Sequence, residues 1–217
     1  VSLSLRDTRA LPDGEVTQLV ILLHGVGVDG RDLISLADVF RSSLPNTAFV
    51  SPDAPEAYDM APMGRQWFSL REWTIAHIEE GLKKARPALD AYIDQLLAEY
   101  NLTPKSCALL GFSQGTMMAL YTALRRTSPL ACVLGYSGAL FGSDELERDI
   151  RSRHPIMLIH GSTDEVVPAA ASRMAAAALS QAKVDVTLHL IDGLGHGIEN
   201  EGLALGAAFL QRHLKAK

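Results

Sequence analysis

A serine flanked two residues away on each side by glycine, Gly111-Phe112-Ser113-Gln114-Gly115, is the first candidate for chemistry in this chain. Glycines at those two places let the backbone turn sharply from a strand into a helix and hold a hydroxyl out at the carboxyl end of a sheet. The apolar run Cys107-Ala108-Leu109-Leu110 leads in and Thr116-Met117-Met118-Ala119-Leu120 leads out, which is the setting the motif requires. A hydroxyl is a weak nucleophile at neutral pH and needs a base. His196, in Asp192-Gly193-Leu194-Gly195-His196-Gly197, follows the last apolar run and precedes the last helical segment, where a base would be delivered. An acid must then hold the imidazole in one tautomer. Asp164, in Gly161-Ser162-Thr163-Asp164-Glu165, is expected to do this, ahead of its rivals Asp192 and Glu165. Together the three would carry out acyl transfer, with Ser113 attacking a carbonyl carbon and His196 taking the proton. The Gln114 amide at a helix N-terminus and the Val26 amide in His24-Gly25-Val26-Gly27 are the expected donors to the resulting oxyanion.

Other residues of the same types read more simply. His24 and His160 close strands, His154 precedes Pro155, His77 and His213 sit on helices and His189 lies within a strand, so capping, packing or solvated surface is expected of them. Ser137, in Gly135-Tyr136-Ser137-Gly138, has glycine one place after the serine instead of two and reads as pocket wall. No His/Cys/Asp cluster has metal-ligand spacing and no glycine-rich phosphate loop is present, so neither metal nor cofactor is expected.

These residues must be positioned by elements of opposite period. Apolar runs at Leu19–Leu23, Ala48–Ser51, Cys107–Gly111, Ala131–Gly135, Ile156–His160 and Val186–Ile191 alternate with helical segments, the pattern of a mostly parallel central sheet covered by helices on both faces. Leu82, Leu89, Ile93, Leu96 and Tyr100 recur at three- and four-residue steps, predicting a helix from about Ala76 to Asn101 that Pro87 kinks or splits. Asp32 to Leu44, Gln114 to Arg125, Ala169 to Gln181 and Glu201 to Leu214 read as the other helices. Pro52 to Arg65, punctuated by Pro55, Pro62 and Gly64, reads as an irregular loop and a candidate wall of a site. Length 217 and the absence of a linker or repeat predict one domain over residues 1–217.

Composition excludes several partners. The chain has 20 basic and 25 acidic side chains, a formal charge of −5, which disfavours nucleic acid and anionic membrane surfaces. Its longest apolar run near the start, Leu19 to Leu23, is far short of the roughly 20 residues of a membrane span. Cys107 and Cys132 both lie in apolar runs, so two buried thiols are expected in preference to a disulfide. With no secretory signal pattern, this predicts a cytoplasmic location.

The motifs Leu23-His24-Gly25-Val26-Gly27, Pro52-Asp53-Ala54-Pro55, Gln66-Trp67-Phe68, Gly111-Phe112-Ser113-Gln114-Gly115, His160-Gly161 with Asp164-Glu165-Val166-Val167-Pro168, and Gly195-His196 occur in this order over nearly the whole chain. In that set the chain resembles the phospholipase/carboxylesterase group of the α/β-hydrolases, which includes bacterial carboxylesterases and acyl-protein thioesterases. The resemblance implies an α/β-hydrolase fold, a triad of Ser113, Asp164 and His196, and backbone oxyanion donors at Val26 and Gln114. The segment Met60-Ala61-Pro62-Met63-Gly64-Arg65-Gln66-Trp67-Phe68 resembles the bacterial esterase branch. Related esterases often dimerise, which leaves a homodimer open to this chain.

Only Gly138 to Pro155 separates the strand after the nucleophile helix from the strand before the acid, and Asp144 to Asp149 there is mostly charged. No apolar lid or cap domain is expected. The cleft should be open, walled by Val26, Met60, Met63, Trp67, Phe68, Val166 and Leu194, and should take a small-molecule ester of short to medium chain. Acyl-protein or acyl-CoA thioester cleavage, lysophospholipase activity, or a non-catalytic binding role on the same fold are the alternatives.

Overall fold

The computed structural model describes residues 5–142 and 146–215. Its strands are β1 (Asp7–Ala10), β2 (Gln18–Leu23), β3 (Thr47–Pro52), β4 (Glu56–Ala57), β5 (Arg65–Gln66), β6 (Cys107–Phe112), β7 (Cys132–Tyr136), β8 (Ile156–Gly161) and β9 (Val186–Ile191). Its α-helices are α1 (Leu36–Phe40), α2 (Ile75–Glu99), α3 (Gln114–Arg125), α4 (Leu146–Asp149), α5 (Ala170–Gln181) and α6 (Asn200–His213). Seven strands form the main sheet in the order β1-β3-β2-β6-β7-β8-β9. All neighbours are parallel except β1, which runs antiparallel to β3.

Side chains of a strand alternate between faces, and β2 shows how that alternation builds two cores. Leu19, Ile21 and Leu23 pack with Leu82, Leu89 and Ile93 of α2 and with Met118 and Leu120 of α3. Val20 and Leu22 pack on the other face with Phe40 of α1, Phe49 of β3 and Leu210 of α6. With both faces covered, β2, β3, β6, β7 and β8 are buried almost from end to end, and parallel pairing leaves all their carboxyl ends on one edge. This is the mostly parallel sheet covered on both faces that the alternation of runs predicts, and it agrees with the α/β-hydrolase fold that the resemblance implies.

Four local expectations are corrected. β1 makes a seventh strand where six were read: Asp-Thr-Arg-Ala has no apolar period, and its backbone is recruited by β3 through the register Asp7↔Pro52 to Ala10↔Phe49. The segment Pro52 to Arg65 is not wholly irregular, because β4 and β5 pair within it as a short hairpin. Asp32 to Leu44 is helical only over α1. Tight turns such as Leu36 N–H to Leu33 O and Asp38 N–H to Ser35 O flank and open that helix, yet still bury Leu33, Ala37, Phe40 and Leu44. Finally, Pro87 does not split α2, which runs unbroken for 25 residues. Proline removes one N–H and crowds the carbonyl of Lys83, but both residues face solvent while Leu82, Ala85, Leu89 and Ile93 are held on the sheet. Thr74 caps this helix by accepting the His77 amide on Oγ1 at 3.3 Å.

Between β7 and β8 the described residues contain only the four-residue α4, whose Leu146 is buried. Asp144 and Glu145, which belong to the mostly charged stretch, lie outside the described residues.

Candidate functional site

β6 ends at Phe112 and α3 begins at Gln114, so Ser113 occupies the turn alone. Its backbone has φ 54° and ψ −118°, a left-handed conformation that costs a non-glycine residue about 1–3 kcal/mol and must be held by its surroundings. The hold is visible: Ser113 N–H donates to Tyr136 O at 2.9 Å, and Thr116 Oγ1 donates to the same carbonyl at 2.8 Å. Gly115 is required by close approach, since a Cβ there would lie 1.8 Å from Leu23 O. The nucleophile turn is thereby pressed against the end of β2 and the loop that follows it.

That loop carries His24 and Val26. His24 is fully buried; its Nδ1–H donates to Gly25 O at 2.6 Å and its Nε2 accepts the Ala54 amide at 3.0 Å. Burial lowers its pKa, so the ring is a neutral brace. The Gly27 amide donates to Arg65 O at 2.9 Å, while the half-buried Val26 amide beside it has no acceptor among the described residues. Gln114, as the first residue of α3, also has an amide without an intrahelical acceptor. Two unused N–H groups on either side of a serine can receive a developing negative charge. The Gln114 side chain is spent on scaffolding: its Oε1 accepts Trp67 N–H and its Nε2 donates to Phe68 O, each at 2.8 Å.

Asp164 and His196 come from the loops after β8 and β9, and these loops are laced together. Thr163 N–H and Thr163 Oγ1 both donate to Leu194 O at 3.0 Å, and Gly193 N–H donates to Ser162 Oγ at 2.9 Å. Gly161 permits the approach, because a Cβ there would meet Leu194 O at 2.2 Å and Gly195 O at 2.3 Å. His196 Nδ1–H donates to Asp164 Oδ2 at 2.7 Å, a bond that in the neutral ring leaves the lone pair on Nε2. The ring of Phe112, next to Ser113, packs on the His196 imidazole with centroids 4.9 Å apart, which sets the imidazole at the nucleophile turn. The Asp164 side chain is buried. Burial by itself would push its pKa up, but hydrogen bonds from His196 and from the Val167 and Val166 amides outweigh that and hold it below the usual range.

The rivals lie elsewhere: Asp192 is exposed and accepts from Ser162 Oγ at 3.2 Å, and Glu165 is exposed. His160, read from sequence as a packing residue, lies fully buried with Nε2 3.1 Å from Asp164 Oδ2. The adjoining Gly161 was the available signal, because a glycine that lets two loops meet also brings its neighbour to the meeting point.

Among the residues expected to wall the cleft, Met60, Met63 and Val166 are exposed and Leu194 is half-buried. Trp67 and Phe68 are different, being only 1% and 2% exposed. They correct the expectation of an open wall: Trp67 Nε1–H donates to His24 O at 3.0 Å, and Phe68 packs beneath Gly81 of α2, so both rings support the loop from below. Ser137 is likewise buried, 1% exposed, and forms no wall. A groove of about 880 Å³ lined by charged side chains including Glu79, Lys83, Arg86, Arg125 and Arg151 shares no residue with this site. Among the described residues no group of three His, Cys, Asp or Glu is placed to hold a metal ion, and no helix is long and apolar enough to cross a membrane.

Comparison with known proteins gives this geometry a context. The family described as Phospholipase/Carboxylesterase matches residues 10–214. The chain is 29% identical over 192 residues to Esterase YpfH of Escherichia coli (strain K12), covering 88% of this chain and 81% of the relative. It is 29% identical over 218 residues to Acyl-protein thioesterase 1 of Gibberella zeae, covering 93% and 92%. The crystal structure of esterase PE8 superposes with a TM-score of 0.94 at 40% identity, covering 98% of this chain and all of that one. A family match over nearly the whole length, together with a solved esterase of the same shape, leads to one assignment: this chain belongs to the phospholipase/carboxylesterase family of α/β-hydrolases.

Proposed function

We propose that this chain hydrolyses short- to medium-chain carboxylic esters through an acyl-enzyme on Ser113, with His196 as base, Asp164 as acid, and the Val26 and Gln114 amides as oxyanion donors. The observation that carries the reading is the 2.7 Å hydrogen bond from His196 Nδ1 to a buried Asp164 at the foot of a strained serine turn. His196 Nε2 takes the Ser113 proton as Oγ attacks the carbonyl, then returns it to the leaving alcohol; water reverses the sequence to release the acid. Exposed Met60, Met63 and Val166 suit an open cleft that accepts several acyl shapes, since methionine adapts its conformation to its ligand. Likeness to a thioesterase over 93% of the chain supports a second reading, in which the same apparatus cleaves acyl thioesters. We read residues 1–217 as one domain acting in the cytoplasm, for which the two buried free thiols argue, and as able to form a homodimer.

A panel of soluble acyl esters and matched thioesters separates the two readings. Highest kcat/KM on esters of short to medium chain, with no jump as substrate passes from solution into micelles, is expected. A consistent preference for thioesters would transfer the assignment to the second reading, and sharp interfacial activation would show that a segment read as wall moves as a lid.

A further inference from the structure

We infer that His24 is a positioning residue for the oxyanion site: its imidazole holds the peptide between Gly25 and Val26 so that the Val26 N–H is presented to the reacting carbonyl. The inference rests on the reading of Ser113 as nucleophile and of the Val26 amide as an oxyanion donor.

The Gly25 carbonyl and the Val26 N–H belong to one peptide unit, and the described residues contain no cis peptide bond. In a planar trans peptide the C=O and the N–H point in opposite directions, so a hydrogen bond that fixes one fixes the other. Gly25 O meets His24 Nδ1 at 2.6 Å. The tautomer follows from the far side of the ring. There Nε2 meets the Ala54 amide at 3.0 Å, and because an amide N–H can only donate, Nε2 is the acceptor. In the neutral ring, the state that burial favours, the single hydrogen then sits on Nδ1 and points to Gly25 O. The Val26 N–H is thereby turned away from the imidazole.

The surroundings keep this peptide beside the nucleophile. Gly25 packs on the serine turn so closely that a Cβ built on it would lie 3.3 Å from the Phe112 ring and 3.5 Å from Ser113 Cβ. Before the peptide, His24 O accepts Trp67 Nε1–H at 3.0 Å; after it, Gly27 N–H donates to Arg65 O at 2.9 Å. Those two bonds pin the ends of the loop, and neither touches the unit between Gly25 and Val26. A unit that begins on glycine is free to swing between such pins, because glycine admits many backbone conformations. Among the described residues, His24 Nδ1 is the one hydrogen-bond partner this unit has. His24 and Gly25 are both buried, which shields the bond from competition by water.

Wild type, His24→Leu, His24→Gln, His24→Asn and Val26→Pro are purified. Thermal stability, kcat and KM on one soluble ester, and affinity for a trifluoromethyl ketone are measured; Ser113 Oγ adds to that ketone and its carbonyl oxygen becomes an oxyanion placed as in the transition state. An asparagine amide can stand where Nδ1 stood and donate to Gly25 O, whereas a glutamine amide reaches the place of Nε2 and can meet only Ala54. A histidine that merely held the Ala54 loop would make glutamine the better replacement. The reverse is expected. His24→Leu and His24→Gln should lose roughly ten- to a hundredfold in kcat with KM within about twofold, and bind the ketone more weakly by a similar factor, a part of the roughly 10²–10³-fold that a whole donor contributes. His24→Asn should stay within about fivefold of wild type in both. Folded His24→Leu with at least half the wild-type kcat would overturn the inference, as would a glutamine variant as active as the asparagine one. Where these variants do not fold, proton–nitrogen NMR correlations of the His24 ring in wild type decide: hydrogen on Nδ1 supports the role, and hydrogen on Nε2 instead overturns it. Val26→Pro, which has no N–H to offer, keeps the two levels apart. If it folds and retains its kcat, the reading of Val26 as a donor fails and the inference with it; if it loses activity while the His24 variants do not, only the present inference fails.

Discussion

The two ends of β8 each bury a histidine, and the contrast between them separates burial from function. His160, in the strand's last turn toward the carboxyl edge, has both ring nitrogens engaged. His154, two residues before the strand begins, is 3% exposed, and neither of its nitrogens has a partner among the described residues. Desolvation is similar in the two places; hydrogen bonding is not. At the carboxyl edge the loops after β8 and β9 bring polar groups to one another until each is satisfied. At the amino edge the chain tolerates an unpaired imidazole, pushed down to about 4 by burial, with Lys105 adding to the effect. Hydrogen bonding of the buried imidazole, more than its burial, separates the histidine beside the proposed acid from the one at the other end of the strand.

The comparison predicts that changes at the carboxyl edge act on rate and changes at the amino edge act on stability. The largest effect should come from Asp164→Asn, which is expected to cost on the order of 10⁴ in kcat, the size seen when the acid of such a triad loses its charge. Asp192→Asn, at the exposed rival, should change kcat by less than about threefold on the same assay, since its hydrogen bond from Ser162 Oγ is exposed to solvent and an asparagine oxygen can still accept it. A larger loss at Asp192 would exchange the two loops in the mechanism.

Gly161→Ala comes next. Its new methyl would strike the Leu194 and Gly195 carbonyls, so the acid and base loops must part. We predict a loss of about 10²-fold in kcat, as misalignment of roughly an ångström produces, with about 1–3 kcal/mol of stability lost to overpacking. Steady-state kinetics beside chemical denaturation would check both parts.

His154→Leu should do the reverse. In the folded protein the imidazole resists protonation down to about 4, whereas in the unfolded chain it takes a proton near about 6.5. The stability it permits is therefore complete above about 6.5, declines as pH falls from there toward about 4, and is level below. The whole decline is about 3 kcal/mol at most by linkage. The leucine variant should lose this part of the pH dependence and keep wild-type kcat. Denaturation curves at several pH values would show it, and an unchanged slope between pH 6.5 and 4 would mean that the histidine finds a partner after all.

Much of this was legible in the chain because the relevant signals are local. β2, β6 and β8 announce themselves as apolar runs, and Ser113, Asp164 and His196 stand beside glycines in the turns that follow such runs. What escaped reading depends on distant partners. β1 is polar and becomes a strand only because β3 offers its edge. The β4–β5 hairpin is two residues on each side, too short for a period, and is tied down by Gly27 and Val28 through Arg65. Trp67 and Phe68 looked like pocket aromatics until Gln114, nearly fifty residues away, was seen to bind their backbone and turn both rings inward. His160 closes its strand and packs as read, but its approach to Asp164 was not legible, since Asp164 lies in the loop ahead.

The account's central claim, that Ser113 is an activated nucleophile, is tested most directly by trapping with a fluorophosphonate followed by peptide mass analysis of wild type and Ser113→Ala. The account predicts a single stoichiometric adduct on the peptide containing Ser113, and neither adduct nor esterase activity in the alanine variant. An adduct on another serine, in a Ser113→Ala protein that keeps most of its activity, would contradict it.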